Sequence, residues 1–213
     1  MQSQESTPSV GNPQNPSFMM IGLLGGPGSG KGTQCALLSK EFHLSHISVG
    51  DVLRKEMQRE GSEFSEIIKQ NMEAGTVGPK EITVGILRSH ILEEAKTRGI
   101  KLFLLDGFPR NLDQAEYFEQ VVGPIEHVVV LECPEDVLIE RLLPRGRFDD
   151  KLHNIHDRLR TFNESTLKVI DAFDGKGKVK RVNANDSIEA VNKSVKDVLR
   201  LITVVVNKTM TPP

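Results

Sequence analysis

The stretch GGPGSGKGT, residues 25–33, decides the fold of this chain. It directly follows the apolar run FMMIGLLGG, residues 18–26, which is typical of a buried strand that ends in a loop. Residues 33–42, TQCALLSKEF, then have the apolar spacing of a helix. Strand, glycine-rich loop, lysine and helix occur in the order that a Walker A phosphate loop requires.

Each residue type in this loop has a physical reason to be there. Glycines let the backbone wrap with several N–H groups pointing inward, the helix N-terminus adds its dipole, and Lys31 supplies a point charge for the β- and γ-phosphates. Gly32 stands where the general pattern has Ser or Thr, so Thr33 is the nearest hydroxyl. A glycine-rich turn with an incidental lysine would not need this order. The loop therefore predicts binding of a nucleoside triphosphate by Gly26, Gly28, Ser29, Gly30, Lys31, Gly32 and Thr33.

Strands and helices alternate along the rest of the chain. Further apolar runs predict strands at residues 101–108, 126–133 and, more weakly, 178–184. Helical spacing occurs at residues 52–59, 64–74, 80–97, 111–122, 137–143, 154–174 and 187–205. This alternation predicts an α/β fold, a three-layer sandwich of the P-loop NTPase type with a central parallel sheet. Ligands of such sheets bind at the carboxyl ends of the strands.

Composition narrows the class of protein. The chain has 213 residues, of which 38% are hydrophobic and 26% charged, as in one globular domain. Its formal charge is −2, from 27 basic and 29 acidic side chains, so we expect no nucleic-acid partner. No apolar run approaches the length of about 20 residues that a membrane span needs, so we expect no membrane partner.

The two ends of the chain differ from its middle. Residues 1–17 are rich in Gln, Ser, Pro and Asn and lack Lys and Arg, which predicts a disordered leader and neither a secretory nor a mitochondrial signal. Residues 206–213 are expected to form a frayed tail. We therefore expect a cytoplasmic location and leave the nucleus open as a second compartment.

Cysteines and histidines do not suggest a metal site. Cys35 and Cys133 lie far apart beside apolar residues, which predicts reduced core thiols and a reducing compartment. Two pairs of histidines are closely spaced, His43 with His46 and His153 with His156. Neither pair has a third metal ligand or an acidic partner at a suitable spacing in the sequence.

Several segments together resemble one family. The loop GxPGxGKGT is similar to that of the adenylate kinase and UMP/CMP kinase family, the nucleoside monophosphate kinases. The segments HISVGDVLR (46–54), GTVGPKEIT (75–83) and DGFPR (106–110) follow in the family's order, and the resemblance runs from about residue 20 to about residue 198. It implies one kinase domain over residues 18–205.

Within that domain the resemblance implies two smaller parts. One is a helical segment at about residues 46–80 that binds the nucleoside monophosphate, and the other is a short lid at about residues 144–150. Short-form members are usually monomers, so we expect a monomer.

The resemblance also implies roles for individual residues. On the ATP side it adds Arg141 and Arg145 to the phosphate loop. The residues that it assigns to the nucleoside monophosphate are Ser48, Val49, Arg54, Val77, Gly107, Arg110, Gln114, Arg147 and Arg158. The residues that it makes catalytic are Lys31, Asp106, Arg110, Arg147 and Arg158. It places Mg²⁺ on the phosphates, on Thr33 and on waters held by Asp106.

Phosphoryl transfer gives an independent reason for such a cluster. The reaction asks little covalent work of the protein, but it needs two anions in line and charge spread over several oxygens, which arginines and Mg²⁺ supply. Each arginine alone could equally be a solvated helix residue. Their ordered occurrence with the phosphate loop favours the site.

The chain departs from the family pattern at three places. Only Gly146 separates Arg145 from Arg147, where short-form members have a few more residues and long-form members a small subdomain. Gly78 replaces a usual valine. Val49 stands where adenylate kinases usually have threonine and UMP/CMP kinases alanine.

The predicted function is transfer of the γ-phosphoryl of Mg-ATP to a nucleoside 5′-monophosphate. Alternatives are a catalytically silent nucleotide-binding module, which loss of Lys31, Asp106 or Arg110 would favour, and another small-molecule P-loop kinase. For the acceptor, Gln114 favours AMP, whereas Val49 and the tetrapeptide FPRN favour UMP and CMP. Some pyrimidine-type members carry the glutamine and accept AMP, so use of both classes is expected.

Overall fold

The structure is a computed structural model that describes residues 18–145 and 152–210. The predicted leader at 1–17, most of the predicted lid and the last three residues lie outside this part. Among the described residues, no helix is both long and apolar enough to cross a membrane.

Five parallel strands form one sheet in the order β2-β3-β1-β4-β5. They are β1 (Met19–Gly25), β2 (Ser45–Ser48), β3 (Leu102–Asp106), β4 (His127–Glu132) and β5 (Val179–Asn183). The central strand β1 is buried along its whole length, because it is covered on both faces and has a neighbour on each side.

Nine α-helices connect and cover these strands in the described part of the chain. They are α1 (Lys31–Glu41), α2 (Val49–Gln58), α3 (Ser65–Glu73), α4 (Lys80–Arg98), α5 (Leu112–Val121), α6 (Glu135–Leu142), α7 (Leu152–Thr161), α8 (Leu167–Asp174) and α9 (Ile188–Met210). A 3₁₀ turn, Leu143–Arg145, follows α6, and a π-helical turn, Phe162–Thr166, joins α7 to α8.

Alternate residues of each strand face opposite layers, as the two-residue period of a strand requires. In β1, Met20 and Leu24 join the cluster that packs on α4, α5 and α8. Its other face, with Ile21 and Leu23, joins the cluster that packs on α1 and α9. The predicted three-layer α/β class is therefore confirmed.

A third, smaller cluster joins α6 to α7. Leu138 and Leu142 of α6 pack with Ile155 and Leu159 of α7, and all four side chains are buried. Since each fully buried leucine or isoleucine contributes about 1.5–3 kcal/mol, this contact orients α7 although some residues between the two helices lie outside the described ranges.

The structure differs from the sequence-based expectation in three elements. Strand β2 was not predicted, because SHIS contains one apolar residue and makes no apolar run. The helix predicted over 154–174 contains the π-helical turn, which periodicity alone does not reveal. Helix α2 also begins before the predicted residue 52, because the Ser48 hydroxyl accepts a hydrogen bond from the Asp51 N–H at 3.3 Å and caps the helix.

Candidate active site

A cavity of about 800 Å³ lies at the carboxyl ends of the strands. Gly25 at the end of β1, Ser48 at the end of β2 and Asp106 at the end of β3 all line it. This is the edge at which ligands of open parallel sheets bind.

The phosphate loop joins β1 to α1 through glycines, of which Gly25, Gly26 and Gly28 have no room for a side chain. Gly28 has φ +90°, and a Cβ there would lie 2.6 Å from the Leu138 carbonyl oxygen of α6. Gly30, with φ +92°, precedes α1 and offers no side chain to cap it. The N–H groups of the first helical turn lack intrahelical acceptors, so they are available to an anion at the loop.

Lys31 reaches back over this loop. Its Nζ donates hydrogen bonds to the carbonyl oxygens of Gly25 (2.8 Å) and Gly26 (2.9 Å) and lies 3.3 Å from Ser29 Oγ. Burial lowers the pKa of Lys31 from 10.5 to about 8; the nearby Asp106 acts in the opposite direction, and the cations Arg110 and Arg158 lower it further.

Asp106 lies at the floor of the cavity and is only 8% exposed. A Cβ at Gly32 would lie 3.7 Å from its Oδ2, so the carboxylate faces the start of α1. His46 of β2 approaches it from the other side, with Nε2 3.2 Å from Oδ2. The expectation that the histidines lack an acidic partner is wrong for His46, because the pairing of β2 with β3 brings together residues that are 60 positions apart.

The segment after β3 turns sharply at Gly107, whose φ is +76°. The Arg110 Nε donates to the Gly107 carbonyl oxygen at 3.0 Å, and the Thr166 hydroxyl donates to the Arg110 carbonyl oxygen at 3.1 Å. Arg110 thus lines the cavity from a turn held at both ends.

Gln114 on α5 is 2% exposed and connects this turn to the loop after α3. Its Oε1 accepts from the Arg110 N–H at 3.3 Å, and its Nε2 lies 3.5 Å from the Gly78 carbonyl oxygen. The Asn111 side chain accepts from the Gln114 N–H at 2.8 Å and caps α5. The side-chain amide is therefore held in one orientation at the cavity wall.

Helices α2 and α3 form the wall opposite the phosphate loop. Val49 is buried at the start of α2, and the side chains of Arg54 and Val77 line the cavity. Arg54 forms an ion pair with Asp51 one turn earlier on the helix.

Helix α7 completes the enclosure and touches the end of α3 directly. The Thr161 hydroxyl donates to the Gly75 carbonyl oxygen at 2.8 Å. A Cβ at Gly75 would lie 3.1 Å from the backbone nitrogen and Cγ of Arg158 and from Cβ of Asp157. A side chain here would crowd the contact between the end of α3 and α7, the helix that carries Arg158.

Most of the predicted site residues line this single cavity. They are Gly28, Ser29, Gly30, Lys31, Gly32, Thr33, Ser48, Val49, Arg54, Val77, Asp106, Gly107, Arg110, Gln114, Arg141 and Arg158. Arg141 enters from α6, and its guanidinium donates to the Ala184 carbonyl oxygen at 3.0 Å. Gly26 packs against the Leu138 side chain instead. Arg147 lies outside the described residues, as do the contacts predicted for Arg145.

Comparison with known proteins agrees with this geometry. A family profile described as adenylate kinase matches residues 23–178. The chain is also similar to the uridylate kinase of Saccharomyces cerevisiae, with 44% identity over 185 residues that cover 85% of this chain and 90% of the yeast protein. The chain belongs to the adenylate kinase family.

Two further similar proteins are named UMP-CMP kinase. The UMP-CMP kinase of Lentinula edodes is 41% identical over 189 residues, which cover 83% of each chain. The UMP-CMP kinase of Danio rerio is 36% identical over 188 residues, which cover 84% of this chain and 96% of its own. The family resemblance drawn from the motifs is confirmed.

Sequence reasoning missed cavity residues outside the family motifs. Thr161 and Thr166 hold the loop ends at Gly75 and Arg110, and Asn71 of α3 accepts from the Thr76 hydroxyl at 3.0 Å. No spacing in the sequence marks them, because their partners lie on other elements or beyond the next turn.

We expect Gly75→Ala to lower kcat/KM at least about tenfold, because the new methyl group pushes on the backbone beside Arg158. The measurement is a coupled ADP-release assay together with thermal unfolding. Gly61→Ala is the matched control, because Gly61 has φ +72° and nothing within 4 Å of an added methyl group. Both variants place alanine at a positive φ, which costs each about 1–2 kcal/mol of stability. Equal losses of activity in the two variants would contradict a specific role for the contact with α7.

A second prediction concerns pH. We expect kcat/KM for ATP to fall as pH rises through about 8, because Lys31 of the free enzyme then loses its proton and its attraction for phosphate. A bound polyphosphate favours the charged ammonium, so kcat should fall only at higher pH. The prediction is tested by measuring initial rates across this pH range, with circular dichroism to show that the fold persists. A kcat/KM that stays level well above pH 8 would refute it.

Proposed function

We propose that this protein is an ATP-dependent nucleoside monophosphate kinase that converts ATP and a nucleoside 5′-monophosphate to ADP and a nucleoside diphosphate. One observation carries the proposal: a single cavity holds a phosphate loop with Lys31 on one side and a group of arginines with Gln114 on the other. Two phosphorylated ligands would meet between them, as transfer between nucleotides requires.

We assign the triphosphate to the phosphate loop and its lysine. The N–H groups at the start of α1 and the Lys31 ammonium would bind the β- and γ-phosphates, releasing Lys31 from the carbonyl oxygens of Gly25 and Gly26. Arg141, beside Ala184, is assigned to the base of ATP. The assignments of Gly26 and Arg145 to ATP rest on the family resemblance.

Arg54, Arg110 and Arg158 are assigned to the phosphate of the acceptor and to the phosphoryl group in transfer. Because guanidinium groups donate in a fixed fork, they match phosphate oxygens and spread the charge that develops in the transition state. Arg147 belongs to the same proposed group by resemblance. The attacking oxygen belongs to an ionised phosphate, which does not need a general base to remove a proton.

The donor atoms beside the phosphate loop fit Mg²⁺. Asp106 offers a carboxylate at the cavity floor and Thr33 a hydroxyl on the first turn of α1, and Mg²⁺ prefers such oxygen ligands together with phosphate and water. When bound with ATP, Mg²⁺ would supply positive charge that offsets the charge of the phosphates. Asp106 would hold its waters, and Thr33 would contribute the hydroxyl that Gly32 lacks.

The alternative functions have no support in the names of the relatives or in the cavity. A silent nucleotide-binding module would not need Lys31, Asp106 and Arg110 together in one cavity, and all three line it. Another type of small-molecule kinase would not need the acceptor wall formed by α2 and α3.

We retain the cytoplasm as the proposed location and the monomer as the proposed oligomeric state.

For the acceptor we propose UMP and CMP, with AMP as a further substrate. The relatives named above are called uridylate or UMP-CMP kinases, and the amide of Gln114 retains one N–H and one oxygen lone pair to offer a base. In this orientation the pair suits N3 and the 4-amino group of cytosine, or N1 and the 6-amino group of adenine. Uracil presents the reversed pattern, an N3–H donor and a 4-oxygen acceptor, and would be met by the amide turned end for end. GMP would bring an additional 2-amino group into a closed site, at about 1–3 kcal/mol if it stays unpaired.

A panel of UMP, CMP, dCMP, AMP and GMP at fixed Mg-ATP, with kcat/KM measured for each, tests the function and the acceptor together. We expect AMP and at least one of UMP and CMP to be phosphorylated, with GMP the poorest. No turnover with any acceptor would contradict the kinase itself. GMP as the best substrate would contradict the role of Gln114, and AMP alone would contradict the pyrimidine assignment.

Arg110→Ala should lower kcat/KM at least about 100-fold, or about 3 kcal/mol, because a charged fork is removed from the acceptor phosphate. Arg98→Ala is the control: this side chain is 57% exposed at the end of α4 and pairs only with the Glu94 side chain of its own helix among the contacts described. A loss below threefold at Arg110, measured in the same coupled assay, would show that the residue does not bind the acceptor.

A further inference from the structure

Three different metal-binding groups meet beneath the cavity. The Sγ of Cys35 on α1, a ring nitrogen of His46 on β2 and a carboxylate oxygen of Asp106 on β3 all lie within 4.8 Å of one another. Within residues 18–145 and 152–210 this is the one group of three or more such residues at that spacing. Each comes from a separate element, so the sheet and α1 together define the cluster.

The chemistry of this donor set differs from that of a magnesium site. Sulfur, imidazole nitrogen and carboxylate oxygen are the ligands that zinc takes in proteins, whereas magnesium takes oxygen ligands almost exclusively. The proposed magnesium role uses Asp106 alone of the three. Cys35 and His46 would add two donors that magnesium does not favour.

Distances within the cluster are close to those of one tetrahedral ion. Ligands at zinc bond lengths are separated by about 3.3–3.8 Å, and His46 Nε2 is 3.2 Å from Asp106 Oδ2. The longest separation in the cluster, at most 4.8 Å, would have to shorten by no more than about 1.5 Å, a change that side-chain rotation could make.

An ion could reach this position from the cavity. Asp106 and His46 both line it, and Cys35 lies fully buried behind them. Burial and the nearby Asp106 raise the pKa of the Cys35 thiol, so the arriving ion displaces one proton and binds the thiolate. A water or a nucleotide phosphate oxygen would complete four ligands.

We propose that Cys35, His46 and Asp106 form a binding site for a thiophilic divalent cation with the ligand preferences of Zn²⁺, and that its occupation inhibits the enzyme. Inhibition follows because the bound ion holds Asp106, which is then lost to the magnesium waters. The proposal that the cation binds is based on the cluster alone, whereas the proposal that it inhibits also rests on the proposed function.

Binding is tested on the full-length, nucleotide-free protein by Zn²⁺ titration in competition with a chromophoric chelator. We expect one tight equivalent in the wild type and in the control Cys133→Ser, which changes the other cysteine. Cys35→Ala should bind Zn²⁺ at least about tenfold more weakly, which corresponds to a loss of about 1.4 kcal/mol of binding free energy. Equal affinity in wild type and Cys35→Ala would mean adventitious binding elsewhere and would overturn the proposal.

Cobalt gives a test that does not depend on the folding of Cys35→Ala. Co²⁺ added to the wild type should produce a thiolate-to-metal charge-transfer band in the near ultraviolet, and Cys133→Ser should keep it. Absence of the band would overturn the site, whether or not Cys35→Ala folds.

Inhibition is measured at saturating Mg-ATP with buffered free Zn²⁺. Wild type and Cys133→Ser should lose activity reversibly on addition of zinc and regain it with a chelator. Cys35→Ala should keep at least half of the zinc-free wild-type activity and resist zinc. If zinc inhibits Cys35→Ala as strongly as it inhibits the wild type, inhibition through this site is refuted. If the wild type shows no turnover before zinc is added, the proposed function is refuted and the binding data are unaffected.

Discussion

The close approach of the phosphate-loop backbone to its neighbours is the constraint on which the rest of the site depends. A Cβ at Gly25 would lie 2.6 Å from the Leu131 carbonyl oxygen of β4, and one at Gly28 would lie 2.6 Å from that of Leu138 in α6. Side chains there would push the loop away from both elements. Since Leu138 also belongs to the cluster that orients α7, the loop, α6 and α7 pack as one continuous unit. The helix that carries Arg158 is thereby positioned relative to the phosphate loop.

The fold could be predicted where burial makes long apolar runs. Strands β1, β3 and β4 are nearly all apolar because helices cover both faces of the sheet, and each was predicted. Strand β2 lies at an edge and buries only two of its four residues, one of them serine, so no apolar run marks it. The π-helical turn after α7 was likewise not predicted, yet it holds Thr166 against the Arg110 carbonyl oxygen.

The same distinction applies to the site. Residues within one short motif, such as Gly30 with Lys31, could be predicted because local spacing sets their geometry. The contact between His46 and Asp106 could not, since it depends on the register that pairs Ser48 with Asp106 across two strands. The contact of Gly75 with α7 depends in the same way on how separate helices pack.

Electrostatics explains why such a cavity is suited to anions while it costs stability. The lowered pKa of Lys31 shows that burial and the two arginines Arg110 and Arg158 oppose its charge, with Asp106 the main group acting in favour. Without ligand, the loop's own carbonyl oxygens hold the ammonium through hydrogen bonds that neutralise no charge. Phosphate groups between these cations would remove the repulsion and replace neutral acceptors with charged ones. Binding of phosphate would therefore offset the cost of burying the Lys31 charge, in exchange for the hydrogen bonds that its ammonium makes to the loop.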